Sequence, residues 1–488
     1  MPIFRLDQSF ACISVNELWD ILAQHISIEF FENYKKCINY VFTEVDPAYE
    51  LPEDKWFAAS VYGKHSKFSE RLKRGLIQSM TKIVELDENE GFFNFSTSCT
   101  KECKNVVLGI YNGLNTKNQW RTLAPYTENF VEATPDVIIS VIEANVKNNS
   151  DAFWSLFESS GDSLFGRSFY THILWALEKL VWLKEYSVRA INLLLTLDEK
   201  NFEYKLTNCP MDSLLKIFCF WHPQGALTIE ERDTLLAYII DMHHGISRKL
   251  VNKLLPKGRS MTTDLLQFSW KYVEYRELTI TKAQYRNSIK CIATKYVQTI
   301  DANYEDWEII IKHFTIFSNI FLELKIDIIQ RGLELSESDR LKLCAKMASH
   351  ISRERKFLED SNTSQICIIN EMEKLYNSLL PDSPLKYAHY YSHDFYGLNP
   401  VIFETNDYDY YREEGNLRKM RLTALEDTLD KFGFDEVLAL AQNVREPRLL
   451  IDSLINSKYF SCIDISFIIK AHLAIPELLK TLSILYII

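Results

Sequence analysis

Glycine and proline are scarce: the 488-residue chain holds 14 of one and 13 of the other, well below their usual combined share of roughly 12%. So few turn formers argue against a turn-rich architecture and for long helices, and the 47% of hydrophobic residues supplies faces for those helices to bury. Close cysteine pairs are also missing. Of ten cysteines only Cys99 and Cys103 stand near each other, with three residues between them and no second pair at ligand spacing. That excludes a zinc ribbon and a disulfide framework, and leaves free, buried thiols of a reducing compartment. No long basic run offsets 66 acidic against 55 basic side chains, a net charge of −11, so nucleic acid is disfavoured as a partner. Nor is any apolar run long enough to span a bilayer: 463–469 is short, and 478–488 carries Lys480. The opening residues, Met1 to Asp7, lack a charged region followed by an apolar core, so no secretory signal is read and a cytoplasmic protein off the membrane is expected. There is no Gly-x-Ser-x-Gly elbow, and no cysteine stands out as a nucleophile.

What the chain has is helical periodicity. It centres on 150–260, where Phe169, Ile173, Ala176, Leu177 and Leu180 predict a helix over Ser168–Lys184 and Val188, Ile191, Leu194 and Leu195 a second over Ser187–Leu197. The break at Lys184-Glu185-Tyr186 is short enough only for a tight reversal, hence an antiparallel hairpin that needs neighbours to cover its apolar faces. Before it, Ser14-Val15-Asn16-Glu17 reads as a capping box. Helices follow near 27–43, 54–62, 66–86 and 101–113, and Thr134-Pro135 caps another. After it come helices near 228–242 and 244–254, then 281–299, 304–331, 336–359 and 363–380. On these, the run Arg353, Glu354, Arg355, Lys356 reads as a solvated face. Segment 257–280, with Gly258, Ser260, Thr262 and Thr263, is the best internal boundary. The last helices are expected at 416–432, 436–444 and 447–457. The expectation is an all-α, irregular α-solenoid of stacked helical hairpins (HEAT/TPR-like). It divides into a helical-hairpin array over 1–260, a long-helix block over 261–380, and an aromatic loop with a C-terminal helical block over 381–488.

Chemistry is thinly signalled. Gly161 to Ser168 has the spacing of a phosphate-binding loop with Arg167 where lysine belongs, and Leu194-Leu195-Thr196-Leu197-Asp198 imitates the apolar strand and acid that hold magnesium. Yet 151–160 suits a short helix better than the required strand, and Val188–Leu197 has helical spacing, so the motif reads as a helix–turn–helix joint. A degenerate nucleotide site on Arg167 and Asp198 is one alternative. Arg167 and His172 also match the Arg-x4-His spacing of HEPN-type ribonucleases, a second enzymatic alternative, although the spacing is common by chance. A nucleic-acid-binding helical scaffold is a third. His389 and His393, next to Asp394, lack an obvious third metal ligand, and the Tyr and Pro density there argues for a loop. His243-His244 reads as a polar helix cap. No cofactor and no metal are expected.

Asp46 to Pro52 followed by Ser69–Lys82, then Leu174-Trp175-Ala176-Leu177-Glu178 with Trp182, resemble the long helical carboxy-terminal region of large bacterial STAND-type NTPases associated with antiphage defence. So do Asn208–Pro210, Phe218 with Trp221-His222-Pro223-Gln224, Leu254-Leu255-Pro256, Arg421–Ala424, and Leu438–Val444 with Pro447. In that family an effector and a nucleotide-binding module precede a helical solenoid that senses a phage product. The resemblance implies that Trp175, Trp182, Pro210, Trp221, Pro223 and Pro256 are scaffold. It also implies a non-catalytic sensor whose partner is a phage protein or a separate NTPase or effector subunit. The chain starts at the solenoid, so a separately encoded sensor, the remnant of a split gene or a stand-alone relative is expected, and the apolar end at Leu482–Ile488 reads as a truncated last repeat. The contact surface expected from the residues is aromatic: Tyr387, Tyr390, Tyr391, Phe395 and Tyr396, with Tyr408, Tyr410 and Tyr411, because tyrosine offers large contact area at low entropic cost. Packing of these rings between two hairpins is the competing reading.

Overall fold

The computed structural model describes residues 3–6, 9–12, 14–88, 93, 95–158, 168–204, 208–256, 261–275, 279–301, 303–356, 363–393 and 410–462. Among the described residues the fold is all-α apart from one hairpin that the periodicity does not predict: β1 (Ile3–Leu6) pairs antiparallel with β2 (Ser9–Cys12), Ile3 opposite Cys12. Strands of four residues show too little alternation to register as a pattern. Contacts sort the chain into two compact units, Met1–Ile289 and Lys290–Ile488.

In the first unit, α1 (Val15–Leu22) starts at Ser14, whose hydroxyl accepts from the Glu17 amide at 3.4 Å, one half of the expected capping box. Next come α2 (Ile28–Phe42), two 3-10 segments at Pro47–Glu50 and Glu53–Tyr62, α3 (Glu70–Glu88) and α4 (Cys99–Asn112). The helix that the others pack on is α5 (Lys117–Ala133), which touches α3, α6 (Pro135–Lys147), α7 (Asp151–Trp154) and α8 (Tyr170–Leu180). No helix is placed there from the sequence, and Pro125 lies inside α5. Proline has no amide to give the carbonyl four residues back. That carbonyl, on Arg121, instead accepts from the Tyr49 hydroxyl at 3.3 Å, which lets the helix continue.

The central hairpin forms as expected from α8 and α9 (Lys184–Glu199). It reverses at 181–183, earlier than the Lys184-Glu185-Tyr186 break, which lies inside α9. Gly225 closes over this turn. Its φ of +90° suits only glycine, and an added Cβ would stand 2.6 Å from Val181 Cγ1, while the next amide, Ala226, donates to the Val181 carbonyl at 3.0 Å. Then follow α10 (Pro210–Ile217), α11 (Ile229–Met242) and α12 (His244–Leu254). Buried Arg232 of α11 donates to the carbonyls of Gln224, Ile217 and Cys219, closing the negative end of α10.

The segment at 261–275 has neither helix nor strand, yet it is not a spacer. Buried Glu132 of α5 accepts from the amides of Ser269, Trp270 and Lys271 at 2.7–3.2 Å and pairs with Lys179. Buried Glu178 of α8 accepts from the Leu266 amide at 3.1 Å, from Ser213 and from Lys216. Gln224 holds both the Leu265 amide and the Thr263 carbonyl, and Trp182 donates to the Leu266 carbonyl. The polar composition that marks this stretch as a boundary is thus matched by buried side chains waiting for its backbone, and contacts place 261–289 with the first unit. Trp182 and Pro210, two of the six scaffold residues, sit in this framework: Trp182 on the segment, and Pro210 buried in the first turn of α10. Trp175, Trp221, Pro223 and Pro256 are partly buried.

Helix α13 (Lys282–Thr299) carries the chain across the division. In the second unit the single helix expected over 304–331 is two, α14 (Tyr304–Lys312) and α15 (Phe314–Leu333), broken at His313. They pack with α16 (Glu337–Lys356) and α17 (Thr363–Leu379) around Trp307, Phe314, Met347 and Leu375. A 3-10 segment at Pro384–Tyr390 leads towards α18 (Tyr410–Phe432), α19 (Phe434–Asn443) and α20 (Pro447–Ile455), whose core is Tyr391, Leu425, Leu440 and Ile451. No described helix is long and apolar enough to cross a membrane.

Candidate ligand-binding cleft

Of the tyrosines expected to face a partner, Tyr391 is buried and Tyr387 and Tyr390 are partly buried. Tyr391 is 0% exposed, and its hydroxyl donates to the Arg421 carbonyl at 2.8 Å. Tyr387 donates to Asp427 at 2.7 Å, and Tyr390 stands edge-on to both Tyr387 and His389. Burial raises the pKa of all three. The Arg421 guanidinium, itself 3% exposed, returns hydrogen bonds to the carbonyls of Tyr390 and Ser392. Half-apolar rings beside unpaired backbone groups are drawn into a core when α18 supplies the polar partners. Phe395, Tyr396 and Tyr408 lie outside the described residues, as do the side chains of Tyr410 and Tyr411.

The other face of the same 3-10 segment borders a cleft of about 930 Å³. Two adjacent rows of α16 line it. Glu337, Leu341, Ala345, Ser349 and Arg353 recur every four residues, and Ser338, Lys342, Lys346 and His350 run beside them. At 1.5 Å per residue the cleft follows α16 for roughly 24 Å. Across from α16 stand Leu385, Ala388, His389 and Ser392, with Ile311 and Lys312 from the end of α14 and Asn443 and Arg445 from the end of α19. The opposite side of α16, with Leu343, Met347 and Ile351, is buried, and the helix packs on α17. The cleft is held rigid by a helix whose other side is core.

Its charge runs against that of the chain. Lys312, Lys342, Lys346, Arg353 and Arg445 line it, against Glu337 as the one carboxylate among the described residues. Lys342 pairs with Asp339 at 3.2 Å and Lys346 with Glu308. Lys312 and Arg353 make no ion pair among the described residues. Burial lowers the pKa of His350 and brings that of His389 down to about 4, so both rings are neutral near pH 7 and the positive charge rests on lysine and arginine. The run read from sequence as one solvated face is divided by the fold. Arg353 turns to the cleft, whereas Glu354 accepts from Gln365 and Arg355 pairs with Glu373 at 2.6 Å. Sequence spacing carries a usable signal for the cleft, two rows at intervals of four. The wall opposite α16 comes from residues that are distant in the chain.

The remaining candidates are dispersed. Arg167 and most of the phosphate-loop-like stretch lie outside the described residues. Leu194 to Asp198 is helical, part of α9, so the imitation of a magnesium-holding strand ends there. Asp198 stands 3.7 Å from Lys249, and burial raises its pKa. His172 approaches Glu128 at 3.8 Å and meets Trp175 edge-on. His243, expected to cap α12, makes no cap hydrogen bond and bonds to Glu199 at 2.7 Å. Among the described residues no group of three or more His, Cys, Asp or Glu is placed to hold a metal ion. Cys99 and Cys103 are buried, with both thiol pKa values raised by burial, Cys99 to about 12, whereas Cys37, Cys291 and Cys367 are exposed. Compared with known protein families, curated proteins and solved structures, the chain matches none.

Proposed function

We propose that the chain is a non-catalytic, cytoplasmic helical binding module that recognises a protein partner in a bacterial antiviral defence system, the partner being a phage product or an NTPase or effector subunit. The observation that carries the binding part is the cleft along α16: elongated, walled by helices and opposite in charge to the rest of the molecule. Such a surface selects a partner by shape and charge and needs no reacting group. The defence setting rests on the resemblance of the scattered Trp, Pro and Leu positions to the sensor region of STAND-type NTPases. The test is affinity capture of the tagged chain from bacteria with and without phage infection, read by mass spectrometry. Recovery of one phage protein, or of one NTPase, at stoichiometric yield is expected. Recovery of neither from folded protein overturns the reading, as does nucleotide hydrolysis or RNA cleavage that purified protein performs and His172→Ala or Asp198→Ala abolishes.

A further inference from the structure

We propose that the cleft beside α16 is a docking groove for an acidic amphipathic helix presented by a protein partner; this deepens the binding-module reading and rests on it. The groove is chemically divided. Leu341, Ala345, Leu385 and Ala388 give it an apolar floor, and Lys312, Lys342, Arg353 and Arg445 stand exposed around that floor. An apolar stripe flanked by carboxylates satisfies both parts at once, while a uniformly charged ligand leaves the floor uncovered. The small side chains of Ala345 and Ser349 on the floor let another helix approach closely.

The groove is bounded by α16, a 3-10 segment and helix ends, so among the described residues no strand edge offers it a ladder of hydrogen bonds for recognition by added strand. A groove of roughly 24 Å matches about sixteen residues of helix at 1.5 Å each. Single nucleic-acid strands are held mainly by bases stacked on large aromatic rings, and among the described residues no Phe, Tyr or Trp lines this cleft, since Tyr387 and Tyr391 bond to α18 instead. On a chain of net charge −11 a cationic groove attracts an acidic partner that the average surface repels, which favours encounter at this face.

The experiment uses the full chain and a fluorescein-labelled helical peptide of about 18 residues, with leucine and alanine on one stripe and glutamate flanking it, read by anisotropy. A second peptide carries lysine in place of each glutamate. Wild type is expected to bind the glutamate peptide, with affinity falling about tenfold as salt screens the cations, and to bind the lysine peptide at least about tenfold more weakly. Lys312→Glu with Arg353→Glu, both at exposed positions without an ion pair among the described residues and so expected to leave the melting temperature nearly unchanged, should reverse that preference. Equal binding of both peptides by wild type, binding of neither, unchanged preference in the double variant, or displacement of the glutamate peptide by polyuridylate each overturns the proposal. Its fate is separable from that of the function. A phage product captured equally by wild type and double variant keeps the binding module and removes the groove. Charge-swapped peptide binding without any captured partner keeps the groove and removes the defence reading.

Discussion

His389 shows how the fold sets the behaviour of a single residue. It stands between Tyr390 and the cleft, edge-on to Tyr376 and Tyr390, with its Nε2 enclosed and a hydrogen bond to the Lys386 backbone that only partly offsets burial. Its pKa is lowered from 6.5 to about 4, so between those values the unfolded chain holds a proton that the folded chain does not. Stability therefore rises with pH across that window and is lost as pH falls through it. The full shift corresponds to about 3 kcal/mol, and partial exposure of the ring brings the expected effect to about 1–3 kcal/mol. Urea unfolding between pH 7 and 4.5 should show wild type losing that much more than His389→Gln; parallel losses in the two proteins would assign the pH dependence elsewhere. Tyr49 carries a similar lesson. Its hydroxyl lies far along the chain from the carbonyl that Pro125 leaves without a donor, so nothing local in the sequence announces the helix that it rescues.

Among the elements, the segment at 261–275 best separates composition from structure. Gly258 and the threonines mark a linker, and the segment is irregular, but its amides converge on Glu132 and Glu178, both 1% exposed. An irregular backbone can lie against a core only when its polar groups are satisfied there. Glu132→Gln puts an amide donor among three backbone donors and leaves Lys179 without its carboxylate, a change expected to cost about 3–5 kcal/mol. Hydrogen exchange should show the amides of Ser269, Trp270 and Lys271 losing protection first, and unchanged protection there would mean that the carboxylate does not hold the segment. Elements with an uninterrupted apolar stripe are legible in advance: α9, α11, α12, α16 and α17 fall where periodicity places them, within a few residues. The exceptions have physical causes. His313 breaks one predicted helix into α14 and α15, and Pro125 lies inside α5.

At the scale of the whole molecule, each of the two units has its own core. Leu177 lies in the first unit and Leu440 in the second, each 0% exposed. Replacing either by alanine opens a cavity costing about 2–5 kcal/mol. Because each unit has its own core, Leu177→Ala should speed exchange in α8 and α9 and spare α19 and α20, with Leu440→Ala doing the reverse; a uniform loss of protection from either change would mean that the chain unfolds as one cooperative body. The charge of the molecule is likewise uneven. An acidic total says what the average surface repels, while the cleft along α16 depends on which cations the fold gathers.

The sequence by itself determined the helical class, the positions of the helices with regular apolar stripes and the central hairpin, because spacing along a helix is a local property of neighbouring residues. It also contained the two rows of α16 that line the cleft. Only the tertiary structure decided that Tyr387 and Tyr391 turn inward to α18 and that Arg353 turns to the cleft while Arg355 pairs with Glu373. It also placed Leu385, Asn443 and Arg445 opposite α16. Those outcomes depend on which distant partner satisfies a buried hydroxyl, carbonyl or guanidinium, and a linear pattern does not encode that pairing.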